Sequence, residues 1–317
     1  MSGPLGDRKL LGLVGPTASG KTALSLALAE ALGAEIVSVD SMLVYRGMDV
    51  GTAKPTAEER ARVRHHLVDL AEPSESYDVV RYAADVEACV GAAGDRPLLF
   101  VGGTGFYWRA LTHGIFDGPP TSPELRKELE QRARDIGAEA LHAELVAIDP
   151  VAATRIHPND VRRVVRALEV ERQTGRTLTD WQAQWREGPG MTGEPRAGAE
   201  RTLVGLQVEP EVLESRIRER TRRMLDGGWI EEVRAIRDGA GFGPTAVQAL
   251  GYPEVLRHLD GELDRAELQT TIALRTRQFA RRQRTWFRKF PEIEWVPAPE
   301  PAGLDRWVET WADRFSC

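Results

Sequence analysis

A glycine-rich segment near the start of the chain has the residue types and spacing of a phosphate-binding loop. Glycine lets the backbone curl so that successive N–H groups face an anion, and lysine adds a positive charge. A threonine hydroxyl after the lysine can bind a phosphate-bound Mg²⁺. The segment consists of Gly15, Pro16, Thr17, Ala18, Ser19, Gly20, Lys21 and Thr22. It predicts binding of a di- or triphosphate, with Thr22 as the metal-contacting residue.

The elements on either side of this loop favour the same interpretation. An apolar run at 10–14 is typical of a buried parallel strand, and the alanine- and leucine-rich stretch 22–32 predicts a helix. The alternative is a strand–helix turn with an incidental lysine, which the presence of strand, loop and helix in order disfavours. Ligands of open α/β sheets bind at the carboxyl ends of the strands, so the loop marks the functional edge.

Two other polar side chains are expected at that edge. Residues 35–39 predict a second strand that leads into Asp40, and residues 97–101 predict another that leads into Thr104. Asp40 could accept a proton from an incoming nucleophile, or it could only form a turn or cap a helix. Thr104 could contact a substrate or cap the next helix. Spacing alone leaves both alternatives open.

Length and composition are those of a globular protein with one large domain or two moderate ones. The chain has 317 residues, 42% hydrophobic and 28% charged. No apolar run approaches membrane-spanning length, and the N-terminus lacks the apolar core of a signal peptide. We therefore expect a cytoplasmic protein without membrane association. Cys89 and Cys317 are too few for a disulfide scaffold or an all-cysteine zinc site.

Positive charge is unevenly distributed although the net charge is −6. Arginine concentrates at 155–176, 216–223 and 275–289, and the stretch 271–290 contains no acidic residue. On a helix, this last stretch would carry a basic surface interleaved with aromatic side chains. It could be the solvated face of a core helix, but the absence of acids favours contact with a polyanion.

The order of strand and helix patterns predicts an α/β fold: a P-loop parallel-sheet core with an inserted helical domain. Strands and helices alternate over 9–110, a proline- and glycine-rich linker follows at 114–123, and 123–184 is helical in pattern. A polar loop at 187–200 returns the chain to a strand at 202–208, after which helices are expected to the end. The predicted core is 1–115 with 200–317, including C-terminal basic helices, and the insertion is 116–199.

Five segments together resemble the bacterial tRNA dimethylallyltransferase (tRNA isopentenyltransferase) family. They are GPTASGKT (15–22), SVDSMLVYRGMDVGTAKP (38–55), LLFVGGTGFY (98–107), RIHPNDVRRVVRALEV (155–170) and QALGYPE (248–254). The first segment is common among nucleotide-binding proteins, whereas the second and fourth are rarely found outside this family. All occur in the expected order, and the resemblance covers nearly the whole chain.

The resemblance implies transfer of a dimethylallyl group from dimethylallyl diphosphate to N6 of the adenosine 3′ of the anticodon, position 37 of tRNA. The loop and Mg²⁺ would hold the diphosphate, together with Arg220, which matches the family's diphosphate-contacting arginine. Asp40 would act as general base toward the adenine amine, and Thr104 would assist.

The inserted domain and the C-terminal basic helix would bind the anticodon stem-loop of the tRNA, whose target adenine must leave its stack. A monomer is expected. The tRNA contacts that the resemblance implies are Asp40, Ser41, Met42, Leu43, Thr104, Arg126, Arg162, Arg163, Val164, Val165, Arg166, Gln248, Ala249, Leu250, Gly251, Tyr252 and Pro253.

Three positions depart from the family pattern. Leu43 replaces a frequent glutamine, Val165 a frequent polar residue and Pro253 a frequent basic residue. These departures put individual RNA contacts in doubt rather than the reaction.

Three other functions remain open. A small-molecule or nucleoside kinase would share the loop but would not need the long basic insertion. An adenylate isopentenyltransferase would share the chemistry without a tRNA-binding domain. A non-catalytic RNA-binding protein would have no use for Lys21, Thr22, Asp40 and Thr104 at one sheet edge.

Overall fold

The computed structural model describes residues 4–5, 8–114, 118–119, 121–187 and 200–316. The chain divides into two compact units, the first formed by residues 1–112 and 198–317 and the second by 113–197. The predicted domain boundaries at 116 and 199 lie outside the described residues, as do Cys317 and most of the predicted loop at 187–200.

A six-stranded parallel sheet organises the first unit. Its strands are β1 (Leu10–Val14), β2 (Glu35–Ser38), β3 (His65–His66), β4 (Leu98–Gly102), β5 (Arg201–Gln207) and β6 (Ile293–Pro297). Their order in the sheet is β3-β2-β4-β1-β5-β6. The α/β fold is therefore confirmed. Since β4 lies between β1 and β2, the carboxyl ends of these three strands meet at one edge.

Fourteen α-helices occur in the described residues, and five of them, α5 to α9, belong to the second unit. The helices are α1 (Lys21–Leu32), α2 (Ala57–Arg62), α3 (Val79–Ala93), α4 (Gly105–His113), α5 (Pro123–Ile136), α6 (Ala138–Ile148), α7 (Pro150–Ala153), α8 (Val161–Thr174), α9 (Leu178–Glu187), α10 (Pro210–Asp226), α11 (Trp229–Asp238), α12 (Tyr252–Leu259), α13 (Arg265–Phe287) and α14 (Leu304–Ser316).

The two faces of the sheet bury separate apolar cores. Alternate side chains of β1 point to opposite faces, so Leu10 and Val14 enter one core while Leu11 and Leu13 enter the other. Residues of α3, α4, α11, α12 and α13 complete the first core, and residues of α1 and α14 complete the second. Every residue of β1 is buried, as expected for a central strand covered on both faces.

The prediction of helices to the end of the chain is wrong at 293–297. These residues form β6, which pairs in parallel with β5. β-branched and aromatic side chains favour a strand here, and Pro291 separates it from α13. Ile293 and Trp295 occupy the space beside Gly205 of β5, where a Cβ would overlap them.

The second unit consists of helices joined by short loops, as its sequence pattern predicts. Its core contains Leu129, Leu141, Leu145 and Leu168. Ser122 caps α5 by accepting a hydrogen bond from the Leu125 N–H.

Candidate active site

The phosphate-binding loop joins β1 to α1 as predicted. Gly15 and Pro16 are buried at the end of β1. Gly20 adopts a φ of 93°, in the left-handed region that favours glycine, and the chain enters α1 directly after it. Because Gly20 has no side chain to cap the helix, the first N–H groups of α1 are left for a ligand, and the helix dipole favours an anion there.

Lys21 folds back over this loop. Its Nζ donates hydrogen bonds of 2.8 Å to the carbonyl oxygens of both Gly15 and Pro16. The pKa of Lys21 is lowered to about 7, chiefly by burial of the amine and also by repulsion from Arg220, while attraction to Asp40 opposes the change. A negatively charged ligand would favour the protonated form of this lysine and bind to it.

Arg220 of α10 and Asp40 complete a charged group around Lys21. Burial lowers the pKa of Arg220, the nearby Asp40 carboxylate opposes that change, and Arg223 adds to it. Two cations thus lie near a single carboxylate in a partly buried setting. The excess positive charge suits a di- or polyphosphate.

Asp40 follows β2 and forms a turn, the simpler of its two predicted roles. This turn leaves its carboxylate available for the other predicted role, as a proton acceptor. Its Oδ1 accepts a hydrogen bond of 2.9 Å from the Met42 N–H, which forms a local turn. Asp40 also lines the cavity that contains Lys21 and Thr22. The turn fixes the direction of the carboxylate toward that cavity.

Thr104 lies beside Asp40 because β4 leaves the sheet next to β2. A Cβ on Gly102 would overlap the Val39 backbone, so only glycine allows this close approach. The Thr104 N–H donates to the Val39 oxygen over 3.2 Å, and its Oγ1 accepts from the Ser41 N–H over 3.2 Å. The Thr104 carbonyl accepts from the Tyr107 and Trp108 N–H groups, so Thr104 lies both at the start of α4 and at the sheet edge.

A cavity of about 590 Å³ brings most predicted residues of the first unit together. Its apolar lining includes Ile217, Met224, Trp229 and Phe279. The predicted residues that line it are Thr17, Lys21, Thr22, Asp40, Ser41, Met42, Leu43, Thr104, Arg220, Gln248, Ala249, Leu250, Tyr252 and Pro253. Gly15, Pro16, Ala18, Ser19, Gly20 and Gly251 belong to the same segments without lining the cavity.

The six predicted contacts of the second unit divide into three kinds. Arg162 and Arg163 are exposed, and Arg163 forms an ion pair of 3.3 Å with Asp160. Val164 and Val165 are buried because α8 turns its apolar face inward, so their side chains belong to the core and are not a surface for RNA.

Arg126 and Arg166 both hold a buried carboxylate. Each donates a hydrogen bond of 2.8 Å to Glu169 Oε2, and the Ser122 N–H donates to Oε1 over 2.8 Å. Burial opposes ionisation of Glu169, but the bonds from Arg166, Arg126 and Ser122 outweigh it and lower its pKa. Arg166 also donates to the Pro119 oxygen. The two arginines thus have a structural task that the sequence pattern did not reveal.

Gln283 of α13 is a site residue that the motifs missed. Its Oε1 accepts from the Thr17 N–H and its Nε2 donates to the Gly103 oxygen, both over 2.9 Å. One signal could have found it: Thr276, Ala280, Gln283 and Phe287 follow helical spacing and form the buried row of α13. A glutamine on that row must direct its amide into the protein.

Glu232 of α11 was also missed, and it anchors the segment after Asp40. Its carboxylate accepts from the N–H groups of residues 49, 50 and 51 over 2.6–3.1 Å and from the Tyr252 hydroxyl over 2.7 Å. Nearby, the buried Lys54 amine contacts Asp49 and Asp69, each at 2.6 Å. These bonds hold residues 51–55 against the wall of the cavity. No local sequence pattern predicts the Glu232 contacts.

The basic surface predicted on α13 is confined to its C-terminal end. Arg275 and Arg277 are ion-paired with Glu254 and Glu214. Toward the C-terminus of α13 and directly after it, exposed Arg281, Arg282, Arg288 and Lys289 form no ion pair within the described chain, and we call them the α13 basic end. Arg282 also lies over the Phe279 ring and Lys289 over the Trp286 ring.

Within the described chain, no cluster of three or more His, Cys, Asp or Glu side chains could hold a metal ion. The exposed Thr22 hydroxyl fits Mg²⁺ in another way, because this ion commonly takes few protein oxygens and completes its shell with phosphate oxygens and water. None of the described helices combines the length and the apolar character needed to span a membrane.

Comparison with known sequences gives a consistent assignment. A family model described as IPP transferase matches residues 43–290, and one described as isopentenyl transferase matches residues 8–72. A tRNA dimethylallyltransferase of Anaeromyxobacter dehalogenans (strain 2CP-C) is 47% identical over 95% of this chain and 99% of its own length. A tRNA dimethylallyltransferase of Geobacter metallireducens is 47% identical over 92% of this chain and 93% of its own length.

Solved structures agree. The tRNA isopentenylpyrophosphate transferase of Bacillus halodurans is 37% identical, with a TM-score of 0.67 over 98% of this chain and 97% of that one. A eukaryotic dimethylallyltransferase described as acting on tRNA is 26% identical, with a TM-score of 0.76. That match covers 97% of this chain and 77% of the eukaryotic one.

Proposed function

The chain belongs to the IPP transferase family, whose members above are tRNA dimethylallyltransferases, and we propose that it prenylates tRNA. The group transferred is dimethylallyl, taken from dimethylallyl diphosphate, and the acceptor is N6 of the adenosine 3′ of the anticodon, position 37. One observation carries this proposal: the phosphate loop, Arg220, Asp40 and Thr104 surround a single cavity.

The loop side of the cavity binds the diphosphate. The N–H groups at the start of α1, with Lys21 and Arg220, neutralise the charge that grows on the leaving oxygen as the allylic C–O bond breaks. The incoming charge also favours the protonated form of Lys21, offsetting the burial that lowers its pKa. Thr22 would hold a Mg²⁺ ion, which supplies further positive charge to the diphosphate when bound.

The acceptor side of the cavity receives the adenine. N6 attacks the allylic carbon, a C–N bond replaces the C–O bond, diphosphate leaves, and N6 loses a proton. Asp40 accepts that proton through Oδ2, because Oδ1 is occupied by the Met42 N–H. Thr104 fixes the Asp40–Ser41 corner through the Ser41 N–H and places its hydroxyl beside the amine.

The cavity has room for both reacting groups. A volume of about 590 Å³ is within the range of small-molecule sites, and the apolar lining suits the dimethylallyl chain. The adenine reaches the sheet edge only after it leaves its stack, and side chains from several elements line the cavity around it. A single chain supplies every group named, so the proposal needs no second subunit.

The RNA is held by positive charge at the edge of the cavity, which Arg282 also lines, and beyond it. The α13 basic end presents exposed cations beside aromatic rings, a combination suited to the phosphates and unstacked bases of the anticodon stem-loop. Arg162 and Arg163 of the second unit add exposed charge.

A labelled-substrate experiment tests the proposal. The protein is incubated with labelled dimethylallyl diphosphate and either tRNA or AMP, and nuclease digestion locates the label. We expect label in tRNA alone, confined to the adenosine at position 37. Label in AMP would instead identify an adenylate isopentenyltransferase, and transfer of the γ-phosphate of ATP to a small molecule would identify a kinase.

A further inference from the structure

We propose that Gln283 is a positioning residue that fixes the phosphate loop relative to the acceptor side of the cavity. The inference rests on the proposed prenyl transfer, since it concerns how the two halves of that site are aligned. Gln283 is 7% exposed, and its amide uses both of its polar atoms within the site. The donor at Thr17 and the acceptor at Gly103 leave one orientation of the amide.

The two partners of Gln283 lie in different halves of the site. Thr17 belongs to the phosphate loop, whereas Gly103 immediately precedes Thr104, whose Oγ1 accepts from the Ser41 N–H. A continuous series of bonds therefore runs from the loop through one side chain of α13 to the corner that carries Asp40. Buried polar networks of this kind restrict a site to one geometry when every member is satisfied.

Gly103 shows how closely Gln283 fits. A Cβ at this position would overlap the Gln283 Nε2 atom and would lie 3.3 Å from the Gly15 oxygen. The φ of Gly103 is outside the left-handed region, so a side chain is excluded here by space and not by backbone conformation. The phosphate loop, Gln283 and the end of β4 meet at Gly103, so a residue with a side chain would not fit there.

The alignment matters more for transfer than for binding. The diphosphate gains its affinity from charges, which Lys21 and Arg220 supply without Gln283. Transfer instead requires the allylic carbon and N6 to meet in line, and a displacement of about 1 Å can cost on the order of 10²-fold in rate. Loss of Gln283 should therefore lower kcat while leaving the affinity for dimethylallyl diphosphate nearly unchanged.

The test compares Gln283→Met, which keeps length and removes both polar atoms, with Gln269→Met on the same helix. The rate constant of tRNA prenylation at saturating substrates, called kcat in this test and taken from single turnovers, and equilibrium binding of dimethylallyl diphosphate are measured well below the melting temperature of each variant. We expect kcat to fall about 10- to 100-fold for Gln283→Met, Kd to change by less than about threefold, and Gln269→Met to match wild type. An unchanged kcat, or weaker binding with kcat preserved, would overturn the proposal, even if Tm falls.

A second pair of variants keeps the proposal testable if Gln283→Met does not fold. Gly103→Ala should lower kcat in the wild-type background by displacing Gln283, and should cost much less in a Gln283→Ala background, where the overlap with Nε2 is gone and the 3.3 Å contact with the Gly15 oxygen remains. Additive losses would overturn the proposal, since they would mean that the two residues act independently. Absence of prenylation by wild type in the same assay would contradict the proposed function instead.

Discussion

The Oγ1 atom of Thr104 accepts a hydrogen bond of 3.2 Å from the backbone N–H of Ser41. This bond joins the ends of β4 and β2, which are separated by more than sixty residues of chain but are neighbours in the sheet. The Met42 N–H orients the Asp40 carboxylate, and the corner that carries Asp40 is held in addition by a strand other than its own.

Asp40→Asn should lower kcat for tRNA prenylation by about 10²–10⁴-fold. The amide oxygen can still accept from the Met42 N–H, so the turn survives while the ability to take a proton is lost. Binding of dimethylallyl diphosphate, measured by calorimetry, should change little. A kcat near that of wild type would remove Asp40 as the general base.

Diphosphate binding should weaken as the pH rises above 7 because Lys21 must be protonated to pair with the ligand. Its pKa is about 7 in the free protein and higher in the complex, so binding takes up a proton, and Kd should rise by up to about tenfold per pH unit. The Lys21→Arg variant stays charged, so its Kd should not show this rise with pH. Parallel pH profiles of Kd for wild type and Lys21→Arg would contradict the assignment.

Arg220→Ala should weaken diphosphate binding by about 10- to 100-fold, the usual effect of losing hydrogen bonds to a charged group. It should also raise the pKa of Lys21, because repulsion from Arg220 is one cause of its lowered value. Arg218→Ala is the matched control, since Arg218 lies on the same helix, exposed and paired with Glu214. If both variants bind dimethylallyl diphosphate like wild type, Arg220 does not contact it.

The affinity for tRNA should depend less on salt once the α13 basic end is neutralised. Replacing Arg281 and Arg288 by alanine should flatten the slope of log K against log salt by roughly one to two units, if each contacts a phosphate. Arg265→Ala combined with Arg277→Ala is the control, because both arginines are ion-paired on the same helix. Filter binding across a salt series decides the matter: equal slopes for all three proteins would mean that the basic end is only solvated.

Arg166→Ala should chiefly lower the stability of the second unit. Glu169 would keep Arg126 and the Ser122 N–H but lose one charged donor while staying buried, at a cost of about 1–3 kcal/mol. Hydrogen exchange over 121–187 should accelerate, while Arg163→Ala, at an exposed position, should leave it unchanged. Unaltered exchange in Arg166→Ala would show that the second unit does not need the bond from Arg166 to Glu169.

The parts of the site that the sequence predicts are those built from consecutive residues. The phosphate loop, Lys21 and Thr22 follow from one strand, one turn and one helix, and Asp40 and Thr104 follow because parallel strands bring their carboxyl ends to one edge. Gln283 and Glu232 could not be found this way. Helical spacing places Gln283 on a buried row of α13 but does not identify its partners, which lie 180 and 266 residues away along the chain. The backbone partners of Glu232 lie 181–183 residues away, and no local spacing encodes such contacts.

The pattern of charged residues in the sequence likewise does not show which arginines are exposed and which bind a buried carboxylate. Arg163 and Arg166 look alike in sequence, yet one is exposed and the other holds a buried carboxylate, because α8 turns Glu169 inward. The short strand β6 was missed for a related reason. Five residues between two helices carry a weak strand signal, and only pairing with β5 makes them part of the sheet.

The position of β1 in the sheet has a consequence for the ribosome-bound chain. β1 is flanked by β4 on one side and by β5 on the other, and β5 begins only at residue 201, after the entire second unit. Until that strand emerges, the nascent chain carries the phosphate loop on a strand with one unpaired edge, a surface open to wrong pairing. Arg220 and Gln283 emerge later still. The phosphate loop is therefore synthesised well before the strand and the side chains that complete the site around it.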